Sequence, residues 1–343
     1  MSAKLNSSVA VHRLSADLGL RPTPSPVQVI LAYCHQRVKK FLADFRAEDG
    51  QCSHLSELLK LLADKLSTRI IEVNSDEQLR AVQREYVSRG ERVFATLDQE
   101  FGENECYGIT FKLQHAKSWE LQYVSIIDCR GRKGQRRYHT KWHEIGHLLI
   151  LTDQTRLAFR RTHDTHHPKS AEESLVDVIA GEFSFYRAML VPYLKGEISF
   201  QKIEQIRSAC SPESSVYSAI LNISKVWPTP CIWIEAQLRG KKGQENRNQH
   251  TFGFDPPEPK TLRAVYANAN DAARAAGLGI IPNFRVPRKS IIYRVFEGGL
   301  PCSEAHEDLA WWESTDGTRL RPHRVRVQAK RIGDSVHALI VPV

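Results

Sequence analysis

Apolar residues recur at helical spacing across residues 27–47 (Ile30, Leu31, Cys34, Val38, Phe41, Leu42, Phe45), which predicts an amphipathic helix. Ser53 then caps a Leu-rich helix running to Leu66. Residues 69–73 read as a short strand, and Asn74-Ser75-Asp76 opens a helix that ends near Gly90. Residues 107–113 and 121–128 alternate as strands and lead through a basic loop, 130–137, into a helix followed by Leu148, Leu149, Ile150 and Leu151. A second long helix spans about 171–189, with Pro192 beyond it. The small, polar, Pro-containing stretch 208–215 then reads as a boundary. Past it, 231–238, 262–266, 291–296, 324–330 and 336–341 predict strands, and 270–276 a helix between them. Gly333-Asp334 suits the final hairpin turn. Residues 1–24 are polar and run into Pro22, Pro24 and Pro26, a loose lead-in. The pattern predicts an α+β protein: a mainly helical domain over 25–207, then a small α/β domain over 216–343.

Composition changes this picture little. A chain of 343 residues exceeds what one core usually serves, which agrees with two domains. No apolar run approaches the eighteen or so residues needed to cross a bilayer, so no membrane partner is expected. The first two dozen residues lack the apolar block of a signal peptide. Seven scattered cysteines form no CxxC pair, which predicts reduced thiols and a cytoplasmic protein. Net charge is +9, and residues 221–343 carry roughly +6 of it.

The chemistry lies at residues 143–147, His-Glu-Ile-Gly-His. Histidines four apart leave one face of a helix and meet one metal ion, with the glutamate between them as a general base. Composition alone would produce the pattern about 0.04 times in such a chain. Zinc takes four ligands, and a catalytic site keeps one position for water, so His143 and His147 require a third protein ligand. A metzincin would continue HExxHxxGxxH, but Ile150 and Asp153 stand at the Gly and His positions. The other common solution, the gluzincin one, is a glutamate on a following helix, and Glu172-Glu173-Ser174-Leu175-Val176-Asp177 supplies it. Glu173 shares a face with Asp177, Ala180, Gly181 and Ser184, whereas Glu172 aligns with apolar Val176, Ile179 and Phe183. Glu173 is therefore the expected third ligand of a single catalytic Zn2+, with Glu172 as the fallback. Asp177 is expected to accept the outer N–H of a ligating histidine, His143, and Glu144 to act as the general base. Of His163, His166 and His167, between the two helices, one is a candidate for stabilising an oxyanion.

Arg136-Arg137-Tyr138-His139-Thr140 before the motif, the apolar run after it, the acidic helix start and Ala188-Met189-Leu190-Val191-Pro192 together resemble the ImmA/IrrE metallopeptidases. The resemblance covers about residues 25–195. Asp177 stands where the family usually has Asn, closer to a thermolysin-like spacing. What the resemblance implies is limited proteolysis of a helix-turn-helix repressor, which releases a DNA-damage or anti-phage programme. It also implies a GAF-like sensor, over 216–343. A branch of the family encoded in CBASS anti-phage operons implies single-stranded DNA as activator. By the same resemblance Cys106, in the polar loop of residues 102–108, is a candidate cysteine switch whose thiolate fills the metal's fourth position.

Single-stranded nucleic acid is held by cationic grooves with aromatic stacking platforms. Candidates are Arg239, Lys241, Lys242 and Arg247 near Trp227 and Trp233, and Arg319, Arg321, Arg324, Arg326, Lys330 and Arg331 near Trp311 and Trp312. Arg324 and Arg326 alternate with Val325 and Val327 and so share a strand face, whereas Trp233, on an apolar strand, reads as core. The basic loop 130–137 is a second patch suited to an anionic or acidic partner. Two other readings remain open: a protease of the same type with a different effector, and a DNA sensor whose zinc site is masked by Cys106.

Overall fold

The chain folds as two units, residues 1–189 with 209–215 and residues 190–208 with 216–343. The computed structural model describes residues 2–48, 50–102, 106–117, 120–151, 158–162, 170–240, 260–314 and 317–343, with the backbone alone at 2–3 and 158–162. Each unit combines helices with one sheet, so the chain is α+β.

The first unit opens with α1 (Ser2–Asn6) and α2 (Val9–Asp17), helices where the polar composition suggested a loose lead-in. Leu5 and Val11 are buried, so a few apolar side chains in a polar stretch suffice to dock it. Helix α3 (Pro26–Ala47) has Pro at its first position and buries Ile30, Cys34, Val38 and Leu42 of the stripe read from the sequence, with Val27 added and Leu31, Phe41 and Phe45 half-buried. In α4 (Leu55–Lys65) the cap is His54 rather than Ser53, because the Glu57 carboxylate turns back and accepts from both backbone N–H groups. Strand β1 (Thr68–Val73) precedes α5 (Asp76–Ser88), whose Ser75 cap accepts from the Gln78 N–H. Then come α6 (Leu97–Gly102), β2 (Cys106–Lys112), β3 (Tyr123–Asp128), α7 (Arg137–Leu149), β4 (Ala158–Thr162), α8 (Ala171–Ser184) and α9 (Arg187–Leu190). The single helix expected over 171–189 is thus two. Phe185 leaves the helical region (φ −133°, ψ 52°), and it and Tyr186 are both buried.

The four strands run in the order β1-β3-β2-β4, with β1 parallel to β3 and the other pairs antiparallel. One face carries an apolar core that includes Val73, Leu79, Phe94, Phe101, Ile109, Phe111 and Ile126. Helix α7 packs against β2 and β3 and lies beside α8.

The second unit holds most of α10 (Phe200–Cys210), then α11 (Val216–Val226), β5 (Ile232–Arg239), β6 (Thr261–Ala269), α12 (Asp271–Ala275), α13 (Ile291–Gly298), β7 (Cys302–Asp308), β8 (Arg324–Ile332) and β9 (Ser335–Pro342). Its sheet is antiparallel throughout, in the order β6-β5-β9-β8-β7. Ile232, Ile234, Val325, Val327, Val336 and Ala338 form the core with Ile292 and Val295 of α13. Residues 291–296, expected as a strand, therefore form a helix. Ser290 caps it, accepting from the Ile292 N–H, Gly299 ends it at φ 65°, and Ile291, Ile292 and Val295 are buried at helical spacing. Strand β7 was not foreseen, since its CSEAHED sequence is polar. It is an edge strand with one neighbour, and edge strands favour charge. The β8–β9 hairpin closes over Gly333 (φ 60°) and Asp334. Among the described residues no helix is long and apolar enough to cross a membrane.

Candidate metal centre

Two contacts at opposite ends fix α7 against α8. The Tyr138 hydroxyl donates to the Ser184 carbonyl at 2.6 Å, joining the start of α7 to the end of α8. Toward the other end, Gly146 lies under Val176 and Ile179; a Cβ there would stand 3.1 Å from Val176 Cγ1. The close approach of the two helices thus depends on a glycine on α7. Arg37 of α3 donates to the Leu149 carbonyl at 2.6 Å, placing a cation on the last turn of α7.

This packing aims both histidines at one carboxylate. His143 Nε2 lies 3.3 Å from Glu173 Oε2, and His147 Nε2 lies 3.3 Å from Glu173 Oε1. Two ligands about 2.0–2.1 Å from one tetrahedral zinc stand about 3.3 Å apart. One ligand atom from each of the three residues falls within 4.8 Å of the other two. The donor set, two imidazole nitrogens and a carboxylate oxygen, suits zinc. Both histidines are buried while Glu173 is partly exposed, so the group opens on the α8 side. Burial alone would raise the Glu173 carboxyl, but hydrogen bonds and charge from His143 and His147 hold it well below the usual carboxylate range.

Glu144 is fully buried, an expensive place for a carboxylate unless it is satisfied. Its Oε2 accepts from the Thr110 hydroxyl at 2.7 Å, and its Oε1 lies 3.7 Å from His143 Nδ1. Gly108 makes room for it. A Cβ at Gly108 would fall 2.8 Å from Glu144 Oε1 and 2.7 Å from Thr140 Cγ2. Neither Thr110 nor Gly108 was singled out from the sequence. The available signal was a hydroxyl set between apolar Ile109 and Phe111.

Asp177 joins the cluster from an unexpected side. The sequence places it on the outer N–H of His143, yet its Oδ1 lies 3.5 Å from Nε2, the nitrogen that also faces Glu173. The i, i+4 spacing sets both carboxylates on one side of α8, toward the same ring edge.

Cys106 stands outside the His143, His147 and Glu173 group. The β2–β4 register shifts between Cys106 and Gly108, and Cys106 belongs to the apolar cluster of Ile109 and Phe111. Its thiol donates to the Gly108 carbonyl at 3.5 Å, and burial, aided by the Glu144 charge, pushes it up to about 12. Residues 163–167, with the candidate oxyanion histidines His163, His166 and His167, lie outside the described residues.

The basic loop before α7 is partly consumed in holding itself. Arg130 Nε and Lys133 Nζ each bind Asp128 at 2.8 Å, and Arg130 also pairs with Asp76. Burial works against the Asp128 charge, but these hydrogen bonds prevail and hold its carboxyl below the usual range. Lys133 also donates to the Phe101 and Cys106 carbonyls, while Arg132, Arg136 and Arg137 remain exposed.

In the second unit the expected nucleic-acid residues separate. Arg239 and Arg324 are exposed at strand ends, and Lys241, Lys242 and Arg247 lie outside the described residues. Arg326 is tied down instead, to Glu304 at 2.9 Å, Glu197 at 3.2 Å and the Ile198 carbonyl at 3.1 Å. Trp233, Trp312 and Trp227 are buried, while Trp311 is partly exposed, with Lys289 Nζ 4.0 Å above its ring.

No protein-family model matches this chain, and no curated protein matches it.

Proposed function

We propose that the chain is a zinc-dependent endopeptidase. The observation that carries this reading is the approach of His143 Nε2 and His147 Nε2 to the two oxygens of Glu173, at 3.3 Å each, with Glu144 on the same helical turn. His143, His147 and Glu173 hold the ion. When bound, zinc supplies Lewis-acid polarisation of a peptide carbonyl and activates water near neutral pH. Glu144 takes the proton of the attacking water on Oε1 and hands it to the leaving amine. A metal held only for structure would need neither Glu144 nor the partly exposed side at Glu173.

The ImmA/IrrE resemblance extends the reading to a substrate and a trigger. The substrate is a helix-turn-helix repressor, cleaved to derepress an anti-phage response of the CBASS type in the cytoplasm. The second unit acts as the GAF-like sensor, with single-stranded DNA as activator and exposed Arg239 and Arg324 among its contacts.

The test mixes purified protein with the helix-turn-helix repressor encoded beside it, with and without single-stranded DNA. Glu144→Gln is the control, expected to lose at least about 100-fold in rate while keeping its zinc. Cleavage that needs DNA and disappears in the variant supports enzyme and trigger together. Cleavage without DNA keeps the enzyme and removes the trigger. An unimpaired Glu144→Gln variant would sink the peptidase reading.

A further inference from the structure

Three buried hydroxyls run in series behind Glu144, one from each of three adjacent strands. Thr110 of β2 lies 2.7 Å from Glu144 Oε2, Ser125 of β3 lies 2.7 Å from Thr110 Oγ1, and Thr68 of β1 lies 3.2 Å from Ser125 Oγ. Thr110 and Ser125 are direct cross-strand partners, and all three residues are 3% exposed or less. The positions flanking Thr110 and Ser125 (Ile109, Phe111, Val124, Ile126) belong to the apolar core on the opposite face of the sheet, so the hydroxyls lie on the face toward Glu144.

Resting on the peptidase reading, we infer that Thr110, Ser125 and Thr68 are positioning residues for the general base: they anchor Oε2 of Glu144 and leave Oε1 as the reacting oxygen. Each hydroxyl has one proton to donate. Thr110 spends its proton on the carboxylate, so Ser125 must donate to Thr110, and Thr68 to Ser125. Every link then points toward Glu144. Hydrogen bonds aligned this way reinforce one another, and the last is strengthened by the carboxylate charge. A chain serving only to satisfy buried hydroxyls would need no charged acceptor at its end. The anchor holds the plane of the carboxylate, and Gly108 leaves the space that Oε1 occupies.

The test compares Thr110→Val, which keeps the shape and removes the hydroxyl, with Thr110→Ser, which keeps the hydroxyl. Misplacing a catalytic group by an ångström costs on the order of 100-fold, so Thr110→Val should lower kcat roughly 10- to 100-fold, with KM within about twofold and zinc content unchanged. Thr110→Ser should restore kcat to within about threefold, and Ser125→Ala should show a smaller loss of the same kind. A second readout needs no activity. In metal-free protein, Thr110→Val should lower Tm by roughly 5 °C, and by much less in a Glu144→Met background. Wild-type kcat in Thr110→Val, or the same Tm penalty in both backgrounds, would overturn the inference. If the parent itself cleaves nothing, the peptidase reading fails separately, and the Tm cycle alone decides whether the chain holds the carboxylate.

Discussion

Both units bury polar side chains, but they use them differently. In the first, His143 and His147 converge on Glu173, and Thr110, Ser125 and Thr68 of three strands lead in series to Glu144 on the same turn of α7. In the second, Asn270, Glu307 and His337 each answer to their immediate neighbours. Asn270 accepts from the Cys231 and Ala273 N–H groups and donates to the Trp227 and Thr229 carbonyls. Glu307 Oε1 accepts from Ser290 and the Ile291 N–H at the start of α13. His337 stacks on Trp233, ring centroids 5.7 Å apart. Locally absorbed polarity is scaffold, whereas polarity aimed at a shared point is unexplained until something occupies that point.

The sharpest way to break this comparison is to remove a converging group. His143→Ala or His147→Ala should reduce bound zinc from about one equivalent to almost none, measured by metal analysis after gel filtration, because two remaining ligands make a weak site. Retention of stoichiometric zinc in both would show that the convergence is not a metal site. Next in size is Gly108→Ala, whose methyl collides with both Glu144 and Thr140. Its expected signature is about 100-fold slower cleavage with zinc retained, and normal turnover would mean the carboxylate has room to shift.

Asn270→Ala probes the scaffold side. It strands two N–H groups and two carbonyls, so denaturant melts should show a loss of about 3 kcal/mol with zinc content unaltered. A loss of metal instead would erase the distinction drawn between the units. The smallest effect is a pH dependence at His337. Burial lowers its pKa, with the Glu235 charge opposing, so the folded state resists protonation. Stability from the neutral ring is complete above the unfolded pKa of about 6.5 and is lost as pH falls below it, by up to ~1.4 kcal/mol per pH unit. His337→Phe, which keeps the stack on Trp233, should flatten thermal melts between pH 6.5 and 5; an unchanged slope would assign the dependence to another group.

Much of this was legible beforehand. Most of the α3 stripe, the start of α5, β2, β3 and the β8–β9 hairpin follow from periodicity and turn chemistry, which are local. Residues 291–296 misled because a short apolar run suits a strand or a buried helix equally, and its capping by Ser290 and Gly299 decided the matter. The lead-in misled because Leu5 and Val11 are few, and their value depends on a surface that only the folded chain provides.

His143, Glu144 and His147 were set by the sequence alone, since four-residue spacing on a helix places two imidazoles together whatever the surroundings. Glu173 was reachable by the same periodicity, one helix further on. Contacts between elements were not. The turn of Asp177 toward Nε2, the burial of Cys106 beside Ile109 and Phe111, the room left at Gly108 and the hydroxyl line behind Glu144 depend on strand register and on the approach of α7 to the sheet. A side chain's spacing along its own element is written in the chain; what lies across from it exists only once the elements have packed.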